Sequence, residues 1–283
     1  MAVVVTCVLL VLAGIVAVVR WGDLPVQPPP AQEADAAVRP PSGLLVRRYL
    51  WYATLALATG VGAGVLAAGA GSRLVMRLLA ATAGPEAQGQ VTEAAEVVGR
   101  ISVGGTIGLF LFGGVLAGLL SAAAYLLLRR WLPAGRAGGL VFGALLLVVA
   151  GTRVDPLRDN NPDFSLVGPP WLAVAAFLAL GLFHGMVVVA LAGRYSRALP
   201  LVRAEPRTIA AYAPLLLLVP LFAAIPVIVA LGLVALLAAQ VRPLRAAWQD
   251  RRVLVAGRVL LAAVALAALP GFVWALATIL NPT

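Results

Sequence analysis

An all-α, polytopic transmembrane helical bundle of about 7–8 membrane helices is the fold this sequence predicts, and three observations predict it. Of the 283 residues, 62% are hydrophobic and 11% charged, against roughly half and a quarter in soluble domains. The apolar residues gather into runs at about 2–19, 50–72, 103–128, 137–152, 171–193, 208–241 and 259–280. Most of these runs are close to the ~20 residues with which a helix crosses a bilayer. The charges lie between the runs and not along one polar face, so the net charge of +10 reads as membrane orientation and argues against a nucleic-acid partner.

The opening run, "MAVVVTCVLLVLAGIVAVVR", has no basic leader and no small-residue cleavage site close behind it. It is therefore expected to be a retained N-terminal transmembrane helix, residues 1–19, and not a cleaved signal. Residues 20–49 contain "GDLPVQPPPAQEADAAVRPPSG", a Pro-rich tether that would attach the first helix loosely to a multi-helix membrane domain of residues 50–283.

The run 208–241 carries Pro214, Pro220 and Pro226 in 34 residues, too long for one ordinary span. A helical hairpin, a re-entrant hairpin and a single kinked helix are each compatible with that length. Arginine discriminates among them, because all 21 basic residues are Arg. Seven single crossings leave 11 Arg on one side and 10 on the other, without the expected cytoplasmic excess. A hairpin gives eight crossings, with 16 Arg in the cytoplasmic segments 20–49, 129–136, 194–207 and 242–258 and 5 in the outer segments 73–102 and 153–170. Both termini are then outside.

The stretch "GVGAGVLAAGAGSR", residues 60–73, spaces Gly62, Gly64 and Ala67 like a dinucleotide-binding turn with Glu86 downstream, but no strand precedes it. Gly60, Gly64 and Ala68 instead form a small-residue stripe at four-residue spacing, which admits a neighbouring helix backbone. Similar pairs recur at Gly104/Gly108, Gly114/Gly118, Gly139/Gly143 and Gly181/Gly185, so the second to fifth helices are expected to pack as a tight core.

The residue inventory removes several chemistries. Without Lys there is no Walker A loop and no Schiff base, and a lone Cys7 forms neither an intramolecular disulfide nor a Cys-x-x-Cys site. One histidine cannot supply H-E-x-x-H or a bis-histidyl haem site, and no Gly-x-Ser-x-Gly elbow occurs. No cofactor or metal is called for, and the chain is expected not to be an enzyme. A Ser121–His184 dyad is formally open without a motif behind it.

Polar groups concentrate in two outer segments. "GTRVDPLRDNNPDF" carries Arg153, Asp155, Arg158, Asp159 and Asp163, and "SRLVMRLLAATAGPEAQGQVTEAAEVVGR" carries Arg73, Arg77, Glu93, Glu96 and Arg100. Asp159, Asn161 and Asp163 begin like a calcium loop, but Phe164 replaces its turning Gly and Pro170 its bidentate Glu. The two segments could form a charged vestibule around a small polar or ionic solute. Alternatively they form a solvated loop and an interfacial helix whose arginines snorkel to lipid phosphates. His184, some 20 Å inward of Pro170 at 1.5 Å per residue, is the deep titratable group. It is either a functional intramembrane site or a neutral ring bonded to a neighbouring helix, with Ser121, Thr106 and Tyr125 as possible partners. The basic segment 241–258 suits anionic headgroups, a partner, or an ordinary cytoplasmic loop.

The string "GGTIGLFLFGG…LLLRRWLP…GTRVDPLRDNNPDF…FHG" resembles uncharacterised multi-pass membrane proteins of high-GC actinobacteria, over about residues 45–200. The resemblance implies a bacterial plasma-membrane location and carries no activity. The sequence expectation is a non-catalytic accessory or organising membrane component, in contact with the lipid bilayer and with other membrane proteins. The alternative is a small-solute or ion transporter using the outer charges and His184.

Overall fold

The computed structural model describes residues 1–29, 42–154, 156–202, 205–213, 215 and 250–281. Six long helices account for most of them. Helix α1 is Ala2–Trp21. Helix α2 runs Ser42–Ala63, passes through a π-helical stretch Gly64–Gly69 and continues as Ala70–Thr82. Helix α3 comprises Val103–Gly108, a π-helical stretch Leu109–Leu116 and Ala117–Leu128. Helix α4 is Gly135–Leu146 ending in a π-helical Leu147–Gly151. Helix α5 is Pro170–Ala198 and α6 is Arg251–Leu280. Among the described residues the β-structure is one isolated bridge, Val91 to Val97.

Five of these helices are long and apolar enough to cross a membrane, and Gly135–Gly151 is shorter. Six of the seven runs anticipated from hydropathy appear as helices, with two of them longer than expected: Ser42–Thr82 against 50–72 and Arg251–Leu280 against 259–280. The run 208–241 lies largely outside the described residues, so the choice between hairpin and kinked helix lies there too. The second helix begins at Ser42, within the segment assigned to the tether.

Two glycine seams set the packing. A Cβ placed on Gly64 would lie 2.6 Å from the Gly114 carbonyl oxygen, and one on Gly60 would lie 2.6 Å from Leu119 Cα. On α4, a Cβ at Gly143 would lie 2.6 Å from the Gly181 carbonyl oxygen. Such contacts leave no room for any side chain, so α2 meets α3, and α4 meets α5, backbone to backbone. Close approach of this kind is how membrane helices gain dispersion and Cα–H···O contacts.

The first seam departs from the expected stripe at one residue. Ala68 is only half-buried, and Gly69 takes its place: a Cβ on Gly114 would meet Gly69 Cα at 3.2 Å. The π-helical stretch is the reason. Its i→i+5 hydrogen bonding inserts one residue into the turn and rotates the following face by one position. The Gly104/Gly108 pair faces open space and belongs to neither seam.

Helix α1 is not a loose appendage. Its buried Cys7, Gly14, Ala17 and Val18 pack inward, and a Cβ on Gly14 would lie 2.9 Å from the Phe183 ring of α5. Past its end, Asp23 pairs with Arg136 of α4 at 3.2 Å and Gln27 N–H donates to Ser196 Oγ at 3.0 Å. Trp21 lies under the Arg194 guanidinium, and Trp51 Nε1 donates to the Leu199 carbonyl. These contacts gather the end of α1, the start of α2, the start of α4 and the end of α5 at one end of the bundle. Arg20, Arg47, Arg48, Arg136, Arg194 and Arg197 lie there, so we call it the arginine-rich end. The start of α6 joins it, since Gly257 sits against the Trp131 ring beyond α3. At the opposite, arginine-poor end, Ile279 of α6 shares a buried apolar cluster with Leu79, Leu147, Leu157, Phe164 and Phe177.

Two measurements follow from this geometry. Gly64→Val is expected to lower the denaturation midpoint in detergent sharply, by overpacking worth about 1–3 kcal/mol or more. Gly104→Ala, facing open space, should stay within about 0.5 kcal/mol. Single cysteines at Arg197 and Arg252, the last turn of α5 and the first of α6, should label from the same side of the membrane with an impermeant reagent.

Candidate functional site

The arginine-poor end carries the charged residues, and the structure sorts them into two groups. In the first, Arg73 projects from α2 just beyond the π-helical stretch and is buried, with 8% exposure. Its Nη2 donates to Thr106 Oγ1 at 2.6 Å and to the Ser102 carbonyl at 3.4 Å. Ser102 Oγ accepts from Gly105 N–H, which caps α3, and donates to Glu96 Oε2 at 2.7 Å. Glu96 is thus joined to Arg73 through Ser102 and not directly. Arg77, one turn on, is exposed and donates to the Gly99 carbonyl at 3.2 Å.

In the second group, Arg158 Nη2 donates to Glu93 Oε2 at 2.6 Å, while Asp163 Oδ1 accepts the Glu93 backbone N–H at 2.9 Å. Asn161 Oδ1 in turn accepts the Asp163 N–H at 2.9 Å. This fastens the α2–α3 loop to the α4–α5 loop across 65 residues of chain. Glu93 and Arg158 are only partly shielded, so the ion pair itself is worth about 1 kcal/mol or less. Arg153 bonds back to the Val149 carbonyl of its own helix at 2.7 Å. Asp159 is exposed, and Asp155 lies outside the described residues.

The segment between the groups is a compact turn structure. Thr92 N–H donates to the Glu96 carbonyl and Val98 N–H to the Gln90 carbonyl, around the Val91–Val97 bridge. Ala95 at its tip takes a left-handed φ of 58°, a conformation a residue with a Cβ adopts at a cost.

His184 sits elsewhere, at the junction of three helices. It is buried, and its Nε2 lies 2.8 Å from Ser121 Oγ of α3. Ser121 also donates to the Gly118 carbonyl of its own helix at 2.9 Å. The Ala63 backbone of α2 approaches the same ring without closing a hydrogen bond of good geometry on Nδ1, which is buried and unpartnered. Of the three partners expected from sequence, Ser121 is the one the ring meets. Thr106 serves Arg73 instead, and Tyr125 stacks at a tilt on Phe142, 5.4 Å between centroids.

The distance between Ser121 and His184 is that of a nucleophile and its base. Both are buried, however, and among the described residues no group orients the ring through Nδ1. A cleft of about 140 Å³ lies at the arginine-rich end and is lined by Thr54, Ala58, Tyr195, Leu199 and Pro200. It reaches neither His184 nor Arg73. Among the described residues no cluster of three His, Cys, Asp or Glu side chains is placed to hold a metal ion.

Sequence reasoning missed the Ser102 cap and the Thr106 partner of Arg73. A Ser immediately before an apolar helical run is a legible N-cap signal. The Thr106 contact spans 33 residues, and no local pattern encodes it.

A double-mutant cycle tests the buried pair. Ser121→Ala should destabilise the protein by about 1–3 kcal/mol because it strands the imidazole nitrogen. His184→Leu combined with Ser121→Ala should recover much of that loss in a detergent melting assay. Neither a protein-family profile nor a curated protein nor a solved structure matches this chain, so a role must be argued from the residues and their geometry.

Proposed function

We propose that the protein is a non-catalytic, multi-pass component of a bacterial plasma membrane that works as an accessory or organising subunit. The single observation that carries this reading is how the deep polar groups are spent. His184 is bonded to Ser121 and buried among glycine-paired helices, which supports a structural use of the ring. The outer charges support the same reading, since Glu93, Arg158 and Asp163 bind the two loops to each other. Meanwhile α6 leaves Val259, Leu266 and Trp274 more than half exposed, an apolar flank for lipid or another membrane helix.

The orientation belongs to the proposal. With the arginine-rich end cytoplasmic, α5 finishes and α6 starts on the cytoplasmic side, and both termini are outside. The transport alternative requires the arginine-poor end to open toward His184. The decisive assay is flux in proteoliposomes with the purified protein. No saturable, protein-dependent movement of inorganic ions or small polar solutes is expected, and Arg77→Ala and His184→Ala should behave as wild type. Saturable flux abolished by either substitution would replace the accessory reading with the transport one.

A further inference from the structure

We infer that Arg73 and the N-terminus of α3 form a binding site for a phosphate-type oxyanion at the arginine-poor end. This goes beyond the accessory reading and does not depend on it. Arg73 is more than nine-tenths buried, yet its partners Thr106 Oγ1 and the Ser102 carbonyl are both uncharged. Its Nε–H is buried and has no acceptor, and among the described residues it makes no ion pair. A buried cation without a counter-charge is strongly disfavoured. The planar guanidinium fork presents its N–H groups in the geometry that an oxyanion accepts.

The surroundings reinforce that polarity. The first-turn amides of α3 at Val103 and Gly104 have no intrahelical acceptor. The aligned peptide dipoles behind them favour negative charge at the same place. A Cβ on Gly104 would meet nothing within 4 Å, so that flank of the turn is open. Arg77 adds an exposed guanidinium one turn away. Glu96 holds the Gly105 side of that turn, where its carboxylate accepts from Ser102 Oγ at 2.7 Å and opposes an anion.

The depth of the site names the ligand class. From Arg48 to Arg73 is 25 residues of α2, about 37 Å at 1.5 Å per residue, which exceeds the ~30 Å hydrocarbon thickness. Arg73 therefore lies at the level of the headgroups when Arg48 lies in those of the opposite face. Exposed Met76, Val103 and Ile107 flank it, as acyl chains would require. The shared chemistry is a phosphate oxyanion, supplied either by a phospholipid headgroup or as free phosphate.

The test uses the full-length protein in neutral detergent and follows its melting midpoint. One arm adds sodium phosphate against sodium chloride of equal ionic strength. The other adds phosphatidylglycerol against diacylglycerol with the same chains. The expected result is a rise of about 3 °C or more in one arm, lost in Arg73→Gln and kept in Arg153→Gln. A rise with inorganic phosphate assigns a free anion, and a rise with phosphatidylglycerol alone assigns the headgroup. Should Arg73→Gln fail to fold, Arg73→Lys keeps the charge but loses the fork, and should weaken half-saturation about tenfold. A wild type indifferent to both ligands, or an equal rise in Arg73→Gln, overturns the proposal. So does non-additive destabilisation by Arg73→Gln and Asp155→Asn, which would make Asp155 the counter-charge.

Discussion

Backbone contact at the two glycine seams is the constraint on which the rest of this structure depends. Within a bilayer, apolar side chains gain little by leaving lipid for one another, so helices associate through close packing and weak polar contacts. Here Gly64 meets the Gly114 carbonyl and Gly143 meets the Gly181 carbonyl at distances no Cβ could tolerate. The α2–α3 seam sets the two helices side by side where Thr106 bonds Arg73, while Ser121 of α3 reaches His184 of α5 across an interface that neither seam forms.

Much of this was legible in the sequence because hydropathy and glycine spacing are local signals. The pairs Gly60/Gly64, Gly114/Gly118, Gly139/Gly143 and Gly181/Gly185 all fall at close interhelical contacts. What escaped was the face, not the helix. A four-residue period assumes uniform α-helix, and the π-helical Gly64–Gly69 adds one residue to the count, so that Gly69 supplants Ala68. The candidate site was legible as a list of charges and illegible as a pairing. Which guanidinium meets which hydroxyl is fixed by loop closure over 33 or 65 residues. No short-range pattern could therefore separate Arg73, drawn into the protein, from Arg77, left at its surface.

Arginine placement and helix packing are independent observations that agree. Counting residues in loops groups Arg20, Arg47, Arg48, Arg136, Arg194 and Arg197 on one side. Contacts such as Gln27 with Ser196 and Trp51 with Leu199 gather several of the same helix ends without reference to charge. The contact of Gly257 with Trp131 extends the argument to α6, because it fixes the start of that helix beside the end of α3.

The Ser121–His184 contact shows why a catalytic distance is not a catalytic arrangement. Ser121 has one proton and two acceptors within reach, the Gly118 carbonyl and His184 Nε2. If the hydroxyl donates to Gly118, the ring must donate Nε2–H to Ser121, and Nδ1 is left as a bare acceptor in the core. If the hydroxyl donates to the ring instead, Nδ1 carries the proton and faces the Ala63 backbone without a well-formed bond. Either tautomer leaves one polar atom undersatisfied, and neither supplies the orienting acceptor that would make the serine a nucleophile. What both provide is a polar tie joining α3 and α5 beside α2. Such a tie specifies which helices meet at a place where interchangeable glycine seams alone would not.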